Sequence, residues 1–124
     1  MADWKNDELS AIGDAEELKI AWQKKDGKLS KSVIIWVVRV GDDLYIRSVK
    51  GRSSGWYRGT QECLAGHIQA GGVEKDVLFL EEFDIAINEK IDAAYLNKYS
   101  MYPQWVAPMV TPDVKETTIR LVPN

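Results

Sequence analysis

The segment Val33-Ile34-Ile35-Trp36-Val37-Val38 is β-branched and apolar on both faces, and no other stretch constrains the fold as tightly. Side chains of a strand alternate between two faces, so an unbroken apolar run reads as a strand that needs cover on both sides. A chain of 124 residues buries roughly two-thirds of its unfolded surface. It can supply the second layer by closing a barrel on itself with a helix outside, or by borrowing the cover from a second subunit. A homodimer is therefore expected. Gly41-Asp42-Asp43 separates the run from Leu44-Tyr45-Ile46-Arg47-Ser48-Val49, and the two read as one long hairpin at the centre of the sheet.

The remaining elements follow from periodicity and breakers. Leu9 and Ile12 at helical spacing, with Gly13 as the stop, give a short opening helix. Leu18, Ile20 and Trp22 alternate with polar or small residues between Glu17 and Gln23, which predicts a strand ending at the solvated turn 24–28. Trp56, Thr60, Cys63 and Leu64 fall on one side of a helix that ends at Gly66. A second hairpin follows, His67–Ala70 and Val73–Phe79 about Gly71-Gly72. The spacing of Ile87, Ile91, Ala94, Tyr95 and Tyr99 predicts a helix that Pro103 stops, and Thr117–Val122 reads as the last strand. Antiparallel pairing dominates, so the fold class is α+β, a small antiparallel barrel with attached helices, in one domain over residues 1–124.

Composition narrows the function classes. With 45% hydrophobic residues, 28% charged residues and a net charge of -3, the chain reads as an ordinary globular protein that lacks the broad basic face of a nucleic-acid binder. The longest apolar run is too short to cross a bilayer, and Met1–Asp7 has no basic segment leading into an apolar one, so a cytoplasmic protein without membrane attachment is expected. One cysteine, Cys63, excludes an internal disulfide, and Cys63 with His67 is too little for a metal site. Cys63 is expected in the core, and His67 in a structural or exposed place.

Against that acidic balance, residues 47–59 (RSVKGRSSGWYRG) carry Arg47, Lys50, Arg52 and Arg58 with no acid among them. The same stretch contains Gly51-Arg52-Ser53-Ser54-Gly55, a G-x-S-x-G pattern between a strand and a helix, as in the nucleophile elbow of α/β-hydrolases. The elbow reading fails on its partners. Glu62 is the sole acid between Ser53 and His67, all three lie in one short segment, and the chain is too short for the parallel sheet an elbow requires. The alternative is an anion site, with Ser53 or Ser54 capping the next helix, its free N–H groups facing Lys50, Arg52 and Arg47 at the strand's end. The competing reading makes the same cations solvated loop charges that balance Asp42, Asp43 or Glu62. Tyr95, Tyr99, Tyr102 and Trp105 present a similar choice between an aromatic wall for a planar ligand and simple packing.

Five stretches carry a family resemblance: IWVVRVGDDLYIRSV (35–49), GWYRG (55–59), AGGVE (70–74), IDAAY (91–95) and RLVP (120–123). Together they resemble the bacterial domain-of-unknown-function 2255 family across nearly the whole chain, a family without an established activity. The order hairpin, basic loop, Trp-Tyr helix, hairpin also resembles the flavin-binding split β-barrels, including the deazaflavin-dependent nitroreductase group. That resemblance implies that Arg47, Ser48, Lys50, Arg52, Ser53, Ser54, Trp56 and Tyr57 hold the phosphate end of FMN or a deazaflavin, with redox chemistry belonging to the cofactor. The alternative function is a cofactor-free split barrel that binds a small ligand or another protein.

Overall fold

The computed structural model describes residues 3–124; Met1 and Ala2, part of the N-terminal stretch discussed above, lie outside the described residues. Helix α1 (Asn6–Asp14) precedes strands β1 (Leu18–Trp22), β2 (Val33–Ile35), β3 (Val38–Val40) and β4 (Asp43–Ile46). Helix α2 (Gly55–Cys63) leads into β5 (Ala65–Ala70) and β6 (Val73–Glu81), then α3 (Ile85–Lys98), the short helices α4 (Pro103–Val106) and α5 (Pro112–Lys115), and β7 (Ile119–Pro123). The seven strands form one antiparallel sheet in the order β2-β1-β5-β6-β7-β4-β3.

The apolar run is not one strand of a hairpin, and the way it breaks explains the architecture. Val33 pairs with Ile20 and Ile35 with Leu18 on β1, whereas Val38 pairs with Tyr45 on β4. Trp36 and Val37 thus join the two edges of a seven-stranded sheet. Laid flat, such a sheet would hold its edges about 29 Å apart at the usual strand spacing, while three Cα steps from Ile35 to Val38 reach about 11 Å. The sheet must therefore curl, and the result is a split barrel. The backbone left unpaired at the crossing is satisfied from the C-terminal end of α3. Val37 N–H donates to the Tyr99 hydroxyl at 3.2 Å, and the Val37 carbonyl accepts from Lys98 Nζ at 2.7 Å.

Curling supplies most of the cover that the run requires. Leu18, Ile20, Val37, Leu44, Ile46, Phe79 and Leu121 fill the barrel interior, while Val38 and Tyr45 face outward beneath Ile91 and Tyr95 of α3 and Tyr99 just past its end. Trp36 stacks on Tyr99 with ring centroids 3.9 Å apart and planes 5° from parallel. Tyr95 and Tyr99 are thus packing residues. Ile34 on β2 remains 57% exposed, so one face of the run is uncovered within the chain.

The second hairpin turns at Gly71-Gly72 as expected, with φ of 57° and 82°, the paired left-handed values that a two-residue turn demands and that glycine adopts at least cost. Two expectations about α2 are corrected. The helix ends at Leu64 in the left-handed region, φ 57°, and Gly66 lies inside β5, where an added Cβ would overlap the Ala21 carbonyl oxygen and the Phe79 ring. Gly59 lies flush against the Trp22 indole, and this close approach turns Tyr57 and Thr60 inward. Cys63 is consequently exposed.

Candidate functional site

Residues 47–54 are folded tightly by their own polar groups. Gly51 N–H donates to the Ser48 carbonyl at 2.9 Å, and the Ser48 hydroxyl donates to the Gly51 carbonyl at 2.8 Å. Ser48 N–H donates to Thr117 Oγ1 at 2.8 Å, which ties the turn to the approach to β7. Ser53 donates its hydroxyl to the Lys50 carbonyl at 3.2 Å. Ser54 is the residue before the first turn of α2, buried, with no side-chain bond to that turn. Its hydroxyl and the first N–H groups of α2 therefore remain available to a ligand.

Beside this turn lies a cavity of about 450 Å³, within the size range of small-molecule sites. Trp36, Trp56 and Trp105 give it aromatic walls, Ile34 and Val49 line its apolar rim, and Lys50 and Ser54 bring polar groups to it. Lys50 is exposed and makes no ion pair among the described residues. Trp105, weighed above as part of an aromatic wall, stands 70% exposed at this cavity. The segment 33–36 was not foreseen as a cavity wall, although its surplus of apolar surface was the signal available.

Arg47 borders the same cavity, yet its side chain is entirely buried and its charge is committed elsewhere. Leu44 and Ile46 point into the barrel and Tyr45 points out. Two residues beyond Tyr45, Arg47 lies on the outer side beneath α3. There NH1 donates to Asp92 Oδ1 at 2.6 Å and to the Met109 carbonyl at 2.9 Å, Nε to Thr118 Oγ1 at 2.9 Å, and NH2 to Asn88 Oδ1 at 2.8 Å. The other Asp92 oxygen accepts from Lys115 Nζ at 2.7 Å. The expectation that Arg47 is a free cation at the strand's end is corrected: it clamps α3, the 107–110 turn and the start of β7 together.

The other expected site residues divide. Arg52 is exposed, 3.7 Å from Glu116, and borders a separate depression of about 430 Å³ between the turn and residues 108–116. Tyr57 is buried in the barrel core, edge-on to Trp56 with centroids 6.3 Å apart, and burial pushes its phenol up from 10.0. Ser48 and Ser53 shape the turn. Lys50, Ser54 and Trp56 are thus brought to one cavity, bordered by Arg47, while Ser48, Arg52, Ser53 and Tyr57 do not line it.

The sequence profile of DUF2255, described as an uncharacterized protein conserved in bacteria, matches residues 8–121. The chain belongs to this family. No curated protein matches its sequence significantly. Among solved structures, this DUF2255 member is similar to a putative pyridoxamine 5'-phosphate oxidase from Listeria innocua, with 15% identity, a TM-score of 0.64, and coverage of 94% of this chain and 90% of the other. A FAD-binding protein from Mesorhizobium loti gives 15% identity and a TM-score of 0.61 over 99% and 92% of the two chains. An F420-H2 dependent reductase gives 14% and 0.62 over 86% and 93%. These likenesses establish the split-barrel fold.

His67, the partner an elbow serine would need, is engaged on the second hairpin. Its Nδ1 lies 3.0 Å from Asp76 and its Nε2 3.2 Å from Glu74. The bond to Asp76, assisted by Glu74, raises the imidazole above its ordinary 6.5 against the effect of burial. Because the folded value is raised, the pair stabilises the fold fully below the unfolded value and loses that contribution as pH rises through the folded one. Urea denaturation on either side of this range should show the wild type losing stability relative to His67→Gln as pH rises; an unchanged difference would mean that the contacts carry no charge coupling.

Proposed function

We propose that this protein binds a phosphate-bearing flavin or deazaflavin, FMN-like in its phosphate end, and serves as an oxidoreductase scaffold. The observation that carries the reading is the meeting of Lys50, the uncommitted Ser54 hydroxyl and the α2 N-terminus at a cavity walled by three indoles. Such a donor set suits a phosphomonoester, and the indoles suit the faces of a planar ring. The split-barrel likeness to proteins named for FAD and F420-H2 supports the same ligand class. When bound, the cofactor would supply the electron-accepting ring. Lys50 and Ser54 would hold the phosphate, Trp36, Trp56 and Trp105 would orient the ring and exclude water, and Arg47 would fix the Met109 side of the cavity through its bond to that carbonyl.

The proposal includes a second copy of the chain. Ile34, Val49 and Trp105 are 57%, 51% and 70% exposed around the cavity mouth, an apolar surface that a twofold-related copy would cover. Light scattering at tens of micromolar is expected to give a dimer, and a monomer would remove this part of the reading. For the cofactor, protein purified after expression with added riboflavin should carry the visible absorption band of bound oxidised flavin; protein that stays colourless even after reconstitution with FMN and with a deazaflavin would contradict the proposal.

A further inference from the structure

A further pocket, of about 310 Å³, lies between the end of α1, β3 and the last turns of α3. Lys98, Arg39, Ser10, Asn97 and Asp14 contribute its polar lining. The Lys98 side chain is half-buried, and Nζ donates to the Val37 carbonyl at 2.7 Å. It makes no ion pair among the described residues. Arg39 donates through Nε to the Gly41 carbonyl at 2.8 Å and through NH1 to Ser10 Oγ at 3.4 Å, so its NH2 edge has donors to spare.

We infer that Lys98 is an acylation site, its amine poised in this pocket to react with a small acyl phosphate whose anionic end is received by Arg39 and Asn97. An amine without a carboxylate partner, held by one carbonyl on a side chain that lines a cavity, is presented as a nucleophile in a way that a paired surface lysine is not. Burial lowers Lys98 from 10.5 to about 8, even though Asp14 and Glu16 oppose that shift and favour the ammonium. The neighbouring Tyr99 ring, 5.2 Å from Nζ, also favours the charged form. Burial outweighs these effects and shifts the amine toward its neutral form. In the reaction the amine nitrogen attacks the acyl carbon, a C–N bond forms, and the bond between that carbon and the bridging oxygen breaks, its electron pair leaving on the oxygen of inorganic phosphate. The surplus amine proton passes to water. The product is a neutral amide that keeps one N–H donor for the Val37 carbonyl, so the strand crossing stays tied to α3 after modification.

The test is incubation of the folded chain with acetyl phosphate, followed by peptide mass mapping over time. Lys98 is expected to acetylate about tenfold faster than Lys24 and Lys25, which lie in the exposed turn, because Arg39 and Asn97 would gather the acyl phosphate beside its amine. Arg39→Gln should erase most of that preference toward acetyl phosphate while leaving Lys98 favoured toward the uncharged reagent p-nitrophenyl acetate. That second reagent separates loss of anion recognition from a disturbed pocket. Acetylation of Lys98 no faster than Lys24 and Lys25 would overturn the site. An Arg39→Gln variant that keeps the full preference for acetyl phosphate would overturn the assigned recognition, as would equal loss of preference toward both reagents.

Discussion

Replacing Arg47 with Met should cost about 3 kcal/mol or more of folding stability, the range seen when one partner of a buried ion pair is removed. The substitution conserves most of the volume of the side chain, so the loss would come from the polar groups it abandons. Asp92 would keep only Lys115, the Met109 carbonyl would lose its donor, and Asn88 Oδ1 would keep the Thr118 hydroxyl at 2.9 Å. Chemical denaturation of the two proteins measures the difference. Adding Asp92→Asn to the Met variant should recover part of the loss, because it removes the carboxylate left underpaired. A cost below about 1 kcal/mol, typical of an exposed pair, would mean that Arg47 is solvated and free for a ligand.

Gly66→Ala should be similarly damaging, at about 3 kcal/mol, the upper part of the range for overpacking. The new Cβ would meet the Ala21 carbonyl oxygen of the paired strand and the Phe79 ring at once, and a strand inside a curled sheet cannot retreat without breaking its ladder. Gly55→Ala is the control. It opens α2, with open space where its Cβ would stand, and alanine there should be neutral or slightly stabilising. Denaturant midpoints for the pair should therefore diverge, and equal midpoints would contradict the close approach of β5 to β1.

The different legibility of these two residues shows what the sequence carries. Alternation and spacing are local properties, so β1, the second hairpin and α3 were readable from Leu18-Ile20-Trp22, Gly71-Gly72 and Ile87-Ile91-Tyr95. The family resemblance extended that reading to the split barrel. The apolar run 33–38 was recognised as needing cover on two faces, but its division between the two sheet edges depends on strands far away in sequence. Gly66 looked like a helix stop because a glycine after a helix usually is one, whereas its real constraint is a carbonyl on β1. Likewise, Arg47 could be placed near a phosphate site by its neighbours in the chain, but its true partner, Asp92, sits 45 residues away on α3. Short-range acids such as Asp42 and Glu62 were the visible candidates. The turns led by Pro103, Pro108 and Pro112, which bring Trp105 to the cavity, depend on the same long-range packing.

The central claim is that Lys50, Ser54 and the start of α2 receive a phosphate. Titrating the protein with FMN and with riboflavin, and following flavin fluorescence, isolates that group, because the two ligands differ only in the phosphate. One charge-assisted contact contributes roughly 1.5 to 3 kcal/mol, so FMN is predicted to bind about tenfold to a hundredfold more tightly than riboflavin. Lys50→Gln combined with Ser54→Ala should bring the two affinities together by weakening FMN while riboflavin is little changed. Equal binding of FMN and riboflavin by the wild type, or binding of neither, would contradict the claim and return the basic turn to solvated surface.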